Sequence, residues 1–205
     1  MIKKITLPEH IGEITLDQYQ RFDKLNKRTD LDELGYNKRV IEIFTQLKHK
    51  EVGNIAHADY KDILEAIIVA MNKDAKFEHR FFIGKTEFGF IPNLDDITTG
   101  EFVDIKEVGL EVENFHKLMA ILFRPIRGKD YLGNYKIESY NGTKRYENIM
   151  KQMPMNLVNG SLVFFSTLAK ELRNHILKST DQAQLKEIMH SITSVNGVGT
   201  VPSMN

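Results

Sequence analysis

Cysteine and tryptophan are missing from this chain of 205 residues. Without cysteine there is no disulfide, no thiolate zinc site, no cysteine-held iron–sulfur cluster and no thiol nucleophile. The absence fits a reducing compartment. Net charge is missing as well, because 28 Lys and Arg offset 28 Asp and Glu. A dedicated nucleic-acid binder is usually clearly basic, so neutrality excludes a uniformly basic protein. Long apolar runs are also lacking. Ala66–Met71 and Leu118–Phe123 are the longest, far short of the ~20 residues that span a bilayer. Lys3 and Lys4 are followed by Pro8, Glu9 and His10 rather than by the apolar core of a signal peptide. The expected location is therefore the cytoplasm, or a particle assembled there, with no membrane partner.

What is present is mostly helical patterning. Ile5 and Leu7 alternate with polar residues, which predicts a short strand over Ile2–Leu7 ended by Pro8. Tyr19 and Phe22 predict a helix from about Leu16 to Asn26, capped by Thr15 or Asp17. Gly35 is expected to break the chain before a helix over Asn37–His49. A third helix, capped by Asp59, carries a stripe of Ile63, Leu64, Ile67, Ile68 and Met71. The pattern then changes. Phe81–Ile83 and Phe88–Ile91 read as a hairpin. Thr98 and Glu101 have capping-box spacing at the head of another helix. Asn114 opens a helix expected to end at Arg124-Pro125, since the residue before proline leaves helical geometry. Gly128, Gly133 and Asn141-Gly142 punctuate a loop with a short β-ribbon, and Thr143 starts a short helix. Pro154 sits at the first turn of the longest helix, about Met155–Ser179. A last helix is expected over Asp181–His190. The fold class that follows is α+β and predominantly helical, with a few short strands or hairpins. Residues 1–190 read as one domain with a soft division near residue 75, and the uncharged residues 191–205 as a mobile tail.

Charge is balanced globally but not locally. Residues 87–113 carry a net charge of −7 and residues 117–151 a net charge of +5. Two readings follow: compensation within one chain, or association of the acidic face of one copy with the basic face of the next. The candidate interaction surface from these blocks is Asp95, Asp96, Asp104 and Glu107 on the acidic side. On the basic side it is Arg127, Lys129, Tyr131, Tyr135, Lys144 and Arg145. Tyrosines interleaved with basic residues over 129–146 also suit single-stranded nucleic acid, because rings stack on bases while cations track phosphates. The same residues suit a protein interface.

Catalytic patterns do not emerge. None of His10, His49, His57, His79, His116, His175 and His190 has metal-ligand spacing. Gly84-Lys85-Thr86 mimics the end of a phosphate loop, but the first glycine of that motif would fall at His79. Ser161 and Ser166 lack a nucleophile elbow. No catalytic, cofactor or metal residue is assigned.

Four segments together carry a likeness. Phe90–Ile105 reads Phe-Ile-Pro-Asn-Leu-Asp-Asp-Ile-Thr-Thr-Gly-Glu-Phe-Val-Asp-Ile. His116–Ile126 closes on Phe123-Arg124-Pro125-Ile126. Tyr140-Asn141-Gly142-Thr143 and Met153-Pro154-Met155 follow. Over about residues 81–177 the chain resembles small proteins of the structural and morphogenesis modules of tailed bacteriophages, namely tail assembly chaperones and virion structural proteins. The resemblance implies a non-enzymatic role with other phage structural proteins as partners: a tape-measure, tail, neck or capsid component, with copies of the chain forming a homo-oligomer. The alternative is a nucleic-acid-associated packaging or accessory protein using residues 129–146.

Overall fold

Thr15 and Gln18 start the first helix reciprocally. Thr15 Oγ1 accepts the Gln18 N–H, and Gln18 Oε1 accepts the Thr15 N–H at 2.9 Å. The structure is a computed structural model and describes residues 5–72, 78–92 and 97–176. Its helices are α1 (Leu16–Asn26), α2 (Glu33–Thr45), α3 (His49–Val52), α4 (His57–Met71), α5 (Thr99–Val108), α6 (Phe115–Leu122), α7 (Glu147–Met150) and α8 (Met155–Ile176). Its strands are β1 (Arg80–Ile83), β2 (Thr86–Phe90), β3 (Phe123–Lys129) and β4 (Tyr135–Ile137). They form one antiparallel sheet in the order β1-β2-β3-β4, with α5 and α6 inserted between β2 and β3. The fold is thus α+β and mainly helical, as the sequence predicts.

Alternation along the strands divides the sheet into two faces. Phe81 pairs with Phe88, and Phe90 with Phe123. Their rings pack edge-on at 5.1 Å (Phe90–Phe123) and 5.2 Å (Phe81–Phe123), with Phe164 of α8 5.4 Å from Phe90. Edge-to-face pairs of this kind contribute about 0.5–1.5 kcal/mol beyond area burial. Leu118, Met119 and Leu122 of α6, Met150, and Met155 and Val158 of α8 complete this core, which α1, α2 and α4 join through Leu16, Ile41, Phe44 and Ile67. The start of α1 is clasped to the α7–α8 junction. Leu16 N–H donates to Met153 O at 2.9 Å, and Met155 N–H to Ile14 O at 2.8 Å.

The opposite face carries Gly89, Arg124, Ile126 and Tyr135. A Cβ on Gly89 would lie 2.5 Å from Tyr135 Cε2 and 3.0 Å from Ile126 Cγ1. Glycine therefore lets the Tyr135 ring cross β2, where its hydroxyl donates to Phe90 O at 2.9 Å and to His79 O at 3.2 Å.

Several sequence expectations are corrected. Residues 5–7 form no strand, and 2–4 lie outside the described residues. α2 begins at Glu33, with Gly35 inside it, because Asp32 caps it by accepting the Gly35 N–H at 2.8 Å. α4 begins two residues before Asp59, and Ile68 of its expected stripe is half exposed. The helix expected to run to Arg124 stops at Leu122. Phe123 is already extended, so Arg124 and Pro125 lie within β3 and the cation sits at no helix end. Thr143 starts a turn, and α7 itself opens at Glu147. The expected helix over 181–190 and the tail 191–205 lie outside the described residues.

Candidate functional site

The acidic and basic blocks meet within the chain. Glu101, third residue of α5, uses Oε2 to accept Thr98 N–H at 2.7 Å and the Thr98 hydroxyl at 2.6 Å. Its Oε1 meets Arg124 Nη1 of β3 in an ion pair whose members are only 3% and 8% exposed. Among the described residues neither the paired Glu101 Oε1 and Arg124 Nη1 nor the buried Arg124 Nε makes a hydrogen bond. The Tyr140 ring lies 5.4 Å from the Arg124 guanidinium, and the Tyr140 hydroxyl donates to Asp104 of α5. Burial first, and the Asp104 carboxylate second, push the Tyr140 phenol far above its ordinary value. Asp104 is thereby engaged internally, while Glu107, one turn on, is exposed.

Glu138, just after β4, organises the basic side. Arg127 and Arg145 both pair with its carboxylate, Arg145 Nη1 at 2.7 Å, and the Tyr146 hydroxyl donates to it at 2.8 Å. Desolvation pushes this carboxyl up, but the hydrogen bonds from Arg127 and Tyr146 outweigh it and hold it below the usual carboxylate range. Lys129 Nζ lies 2.6 Å from Glu87 on the neighbouring strand. Arg127, Lys129, Tyr135 and Arg145 are therefore occupied inside the chain, while Lys144 is exposed. Asp95 and Asp96 lie outside the described residues.

Tyr131 stands apart from these networks. It is 95% exposed, beside Leu132 at 71%, on the tip of the β3–β4 hairpin. The tip is rigidly built. Asp130 Oδ1 accepts Leu132 N–H and Asn134 N–H, both at 2.9 Å, and Oδ2 accepts the Asn134 side-chain amide at 2.8 Å. The Asn134 amide, ahead of a weaker opposing desolvation, holds the Asp130 carboxyl below its ordinary value. Phe102 and Val103 of α5 are 56% and 44% exposed, because that helix turns Glu101 inward instead.

Sequence reasoning missed three of these residues as partners: Glu101, Arg124 and Glu138. Glu138 had a signal, being the lone carboxylate between residues 131 and 146. Among the described residues no group of three His, Cys, Asp or Glu side chains is placed to hold a metal ion, and no helix is long and apolar enough to cross a membrane. Compared with known protein families, curated proteins and solved structures, the chain finds no match in any of the three.

Proposed function

We propose that this chain is a non-enzymatic structural or assembly protein that works through protein–protein contacts, in the tail, neck or capsid module of a tailed bacteriophage. The observation that carries the contact role is the placement of Tyr131 and Leu132. Two large apolar side chains stand in solvent on a turn stiffened by three hydrogen bonds to Asp130. A pre-ordered aromatic anchor of this kind suits interface hot spots, since little entropy is lost when it docks. The phage assignment rests on the sequence resemblance over residues 81–177. Its partners on this reading are tape-measure, tail, neck or capsid components. Its place is the virion, or the host cytoplasm during assembly.

The nucleic-acid reading draws less support. Tyr135, Tyr140 and Tyr146 each commit their hydroxyl to this chain, and Arg127, Lys129 and Arg145 are paired with carboxylates. Tyr131 alone among those four rings is free to stack. Mass spectrometry of purified particles tests the leading reading. Stoichiometric recovery supports a virion component. Absence from particles, with capture of a tape-measure protein from infected cells, supports a chaperone. Finding neither defeats the proposal, and salt-sensitive retention of single-stranded nucleic acid on a filter would favour the alternative.

A further inference from the structure

The exposed tip and the exposed face of α5 lie at opposite ends of the sheet. Arg124, against which α5 packs, stands near the start of β3, and Lys129 ends that strand just before the tip. Five residues at ~3.3 Å each separate the two by about 17 Å. Tyr131 and Leu132 therefore stand well away from Phe102 and Val103 of the same chain.

The two patches are opposite in sign. Around the tip, Lys85 and Lys136 are exposed and Lys129 is paired with Glu87, whereas Asp130 turns both carboxylate oxygens onto the hairpin itself. Residues 99–113 carry five carboxylates against the single cation Lys106, and Glu107, Glu111 and Glu113 are exposed. Tip-to-tip or α5-to-α5 pairing about a two-fold axis would set like charges together, which opposes association. Tip-to-α5 pairing sets apolar against apolar and lysines against glutamates.

We propose that copies of this chain associate head to tail, the Tyr131–Leu132 tip of one copy seating on the Phe102–Val103 face of α5 in the next, with Lys136 drawn towards Glu107. The contact is heterologous, so it generates a ring if the rotation closes and a filament if it does not. A tyrosine buries about 150–250 Å², a fraction of the ~800 Å² per partner of a stable interface. Each contact is accordingly weak alone, and assembly is concentration-dependent and salt-sensitive.

This inference rests on the reading of the chain as an assembly protein, but its test is separate. Sedimentation velocity of the full chain should give species larger than a dimer that grow with concentration and recede with salt. A tip variant (Tyr131→Ser with Leu132→Ser) and an α5 variant (Phe102→Ser with Val103→Ser) should each keep the wild-type melting temperature and remain monomeric. Mixed, they should form a one-to-one dimer and nothing larger, because one intact tip and one intact α5 face remain. Should the serine variants fold poorly, the charge exchange replaces them. Lys136→Glu and Glu107→Lys should each weaken association, and their combination on one chain should restore it. A wild-type chain that stays monomeric at every concentration, a mixture that fails to dimerise, or an exchange that restores nothing overturns the proposal. A chain recovered from particles yet monomeric in solution overturns head-to-tail association and leaves the assembly role standing. A self-associating chain found in neither particles nor tape-measure complexes supports the head-to-tail contact and removes the phage reading.

Discussion

The carboxylate of Glu101 on α5 meets the guanidinium of Arg124 on β3 in a pair that is almost wholly out of water. The same carboxylate caps α5 through Thr98. One side chain thus both starts a helix and fixes it to the sheet. Removing one member of a buried pair leaves an uncompensated charge, at a cost of about 3–5 kcal/mol. Glu101→Gln keeps a side chain able to cap and should still destabilise the fold by that order in urea unfolding. Glu101→Gln combined with Arg124→Met should recover most of the loss, because no lone charge stays buried. If the double variant is no more stable than the single one, the pair is not the source of the effect.

Gly89 and Tyr135 make a second, steric prediction. Alanine at position 89 places its Cβ inside van der Waals contact with the Tyr135 ring and against Ile126. Overpacking of this size costs about 1–3 kcal/mol. Tyr135→Phe removes only the hydroxyl bonds to Phe90 O and His79 O, with a loss of about 1 kcal/mol. The informative variant is Gly89→Ala with Tyr135→Ala. Denaturation midpoints should show it less destabilised than the two single changes added together, since deleting the ring relieves the clash.

These relationships mark the boundary of what sequence reveals. Local rules locate α1, α5 and the β1–β2 hairpin: Tyr19 and Phe22 on one face behind a cap at Thr15 or Asp17, capping-box spacing at Thr98–Glu101, and paired aromatic runs around Gly84. Long-range choices are not local. Helical periodicity runs through Leu122, and nothing in the spacing announces that Phe123 will pair with Phe90 and draw Arg124 and Pro125 into a strand. Gly35 reads as a breaker because the cap that tolerates it, Asp32, becomes visible only with the backbone. The candidate surface fares similarly. Charge blocks are countable, but pairing Arg127 and Arg145 with Glu138, or Lys129 with Glu87, requires the β3–β4 turn and the sheet register. Tyr131 differs from the other tyrosines only in three dimensions.

His116 makes stability depend on pH. Burial, with the charges of Lys151 and Lys117 adding to it and Glu147 opposing, holds its imidazole below the ordinary histidine value. In the neutral form Nδ1 accepts from Gln20 Nε2 at 3.0 Å, beside the carbonyls of Val112 and Glu113. The unfolded chain therefore binds the proton first. The stability associated with neutral His116 is complete above about pH 6.5 and is lost as the pH falls through that value towards the folded one. Urea midpoints measured from about pH 7.5 down to about pH 5.5 should decline in wild type, and His116→Gln should flatten that part of the decline. An unchanged profile in the variant would assign the decline to other groups.

Asp130 governs the tip without supporting the core. Its carboxylate accepts from the backbone of Leu132 and Asn134, while the Asp130 N–H donates to Asn134 O at 2.9 Å, closing the turn from both sides. The group is fully exposed, so global stability should hardly respond to Asp130→Ala. What should respond is local order. Amide exchange at Leu132 and Asn134 should accelerate while amides of β2 and β3 keep their protection. The folded carboxyl lies below its ordinary value, so wild type should show the same local loosening only under acid, as pH falls below about 4 and the folded form takes up its proton. A loosened tip must be ordered again on docking, which weakens binding by an entropic route. Asp130→Ala should therefore reduce head-to-tail association even though Tyr131 and Leu132 are retained. Association undiminished despite faster exchange at the tip would mean that the anchor needs no pre-ordering.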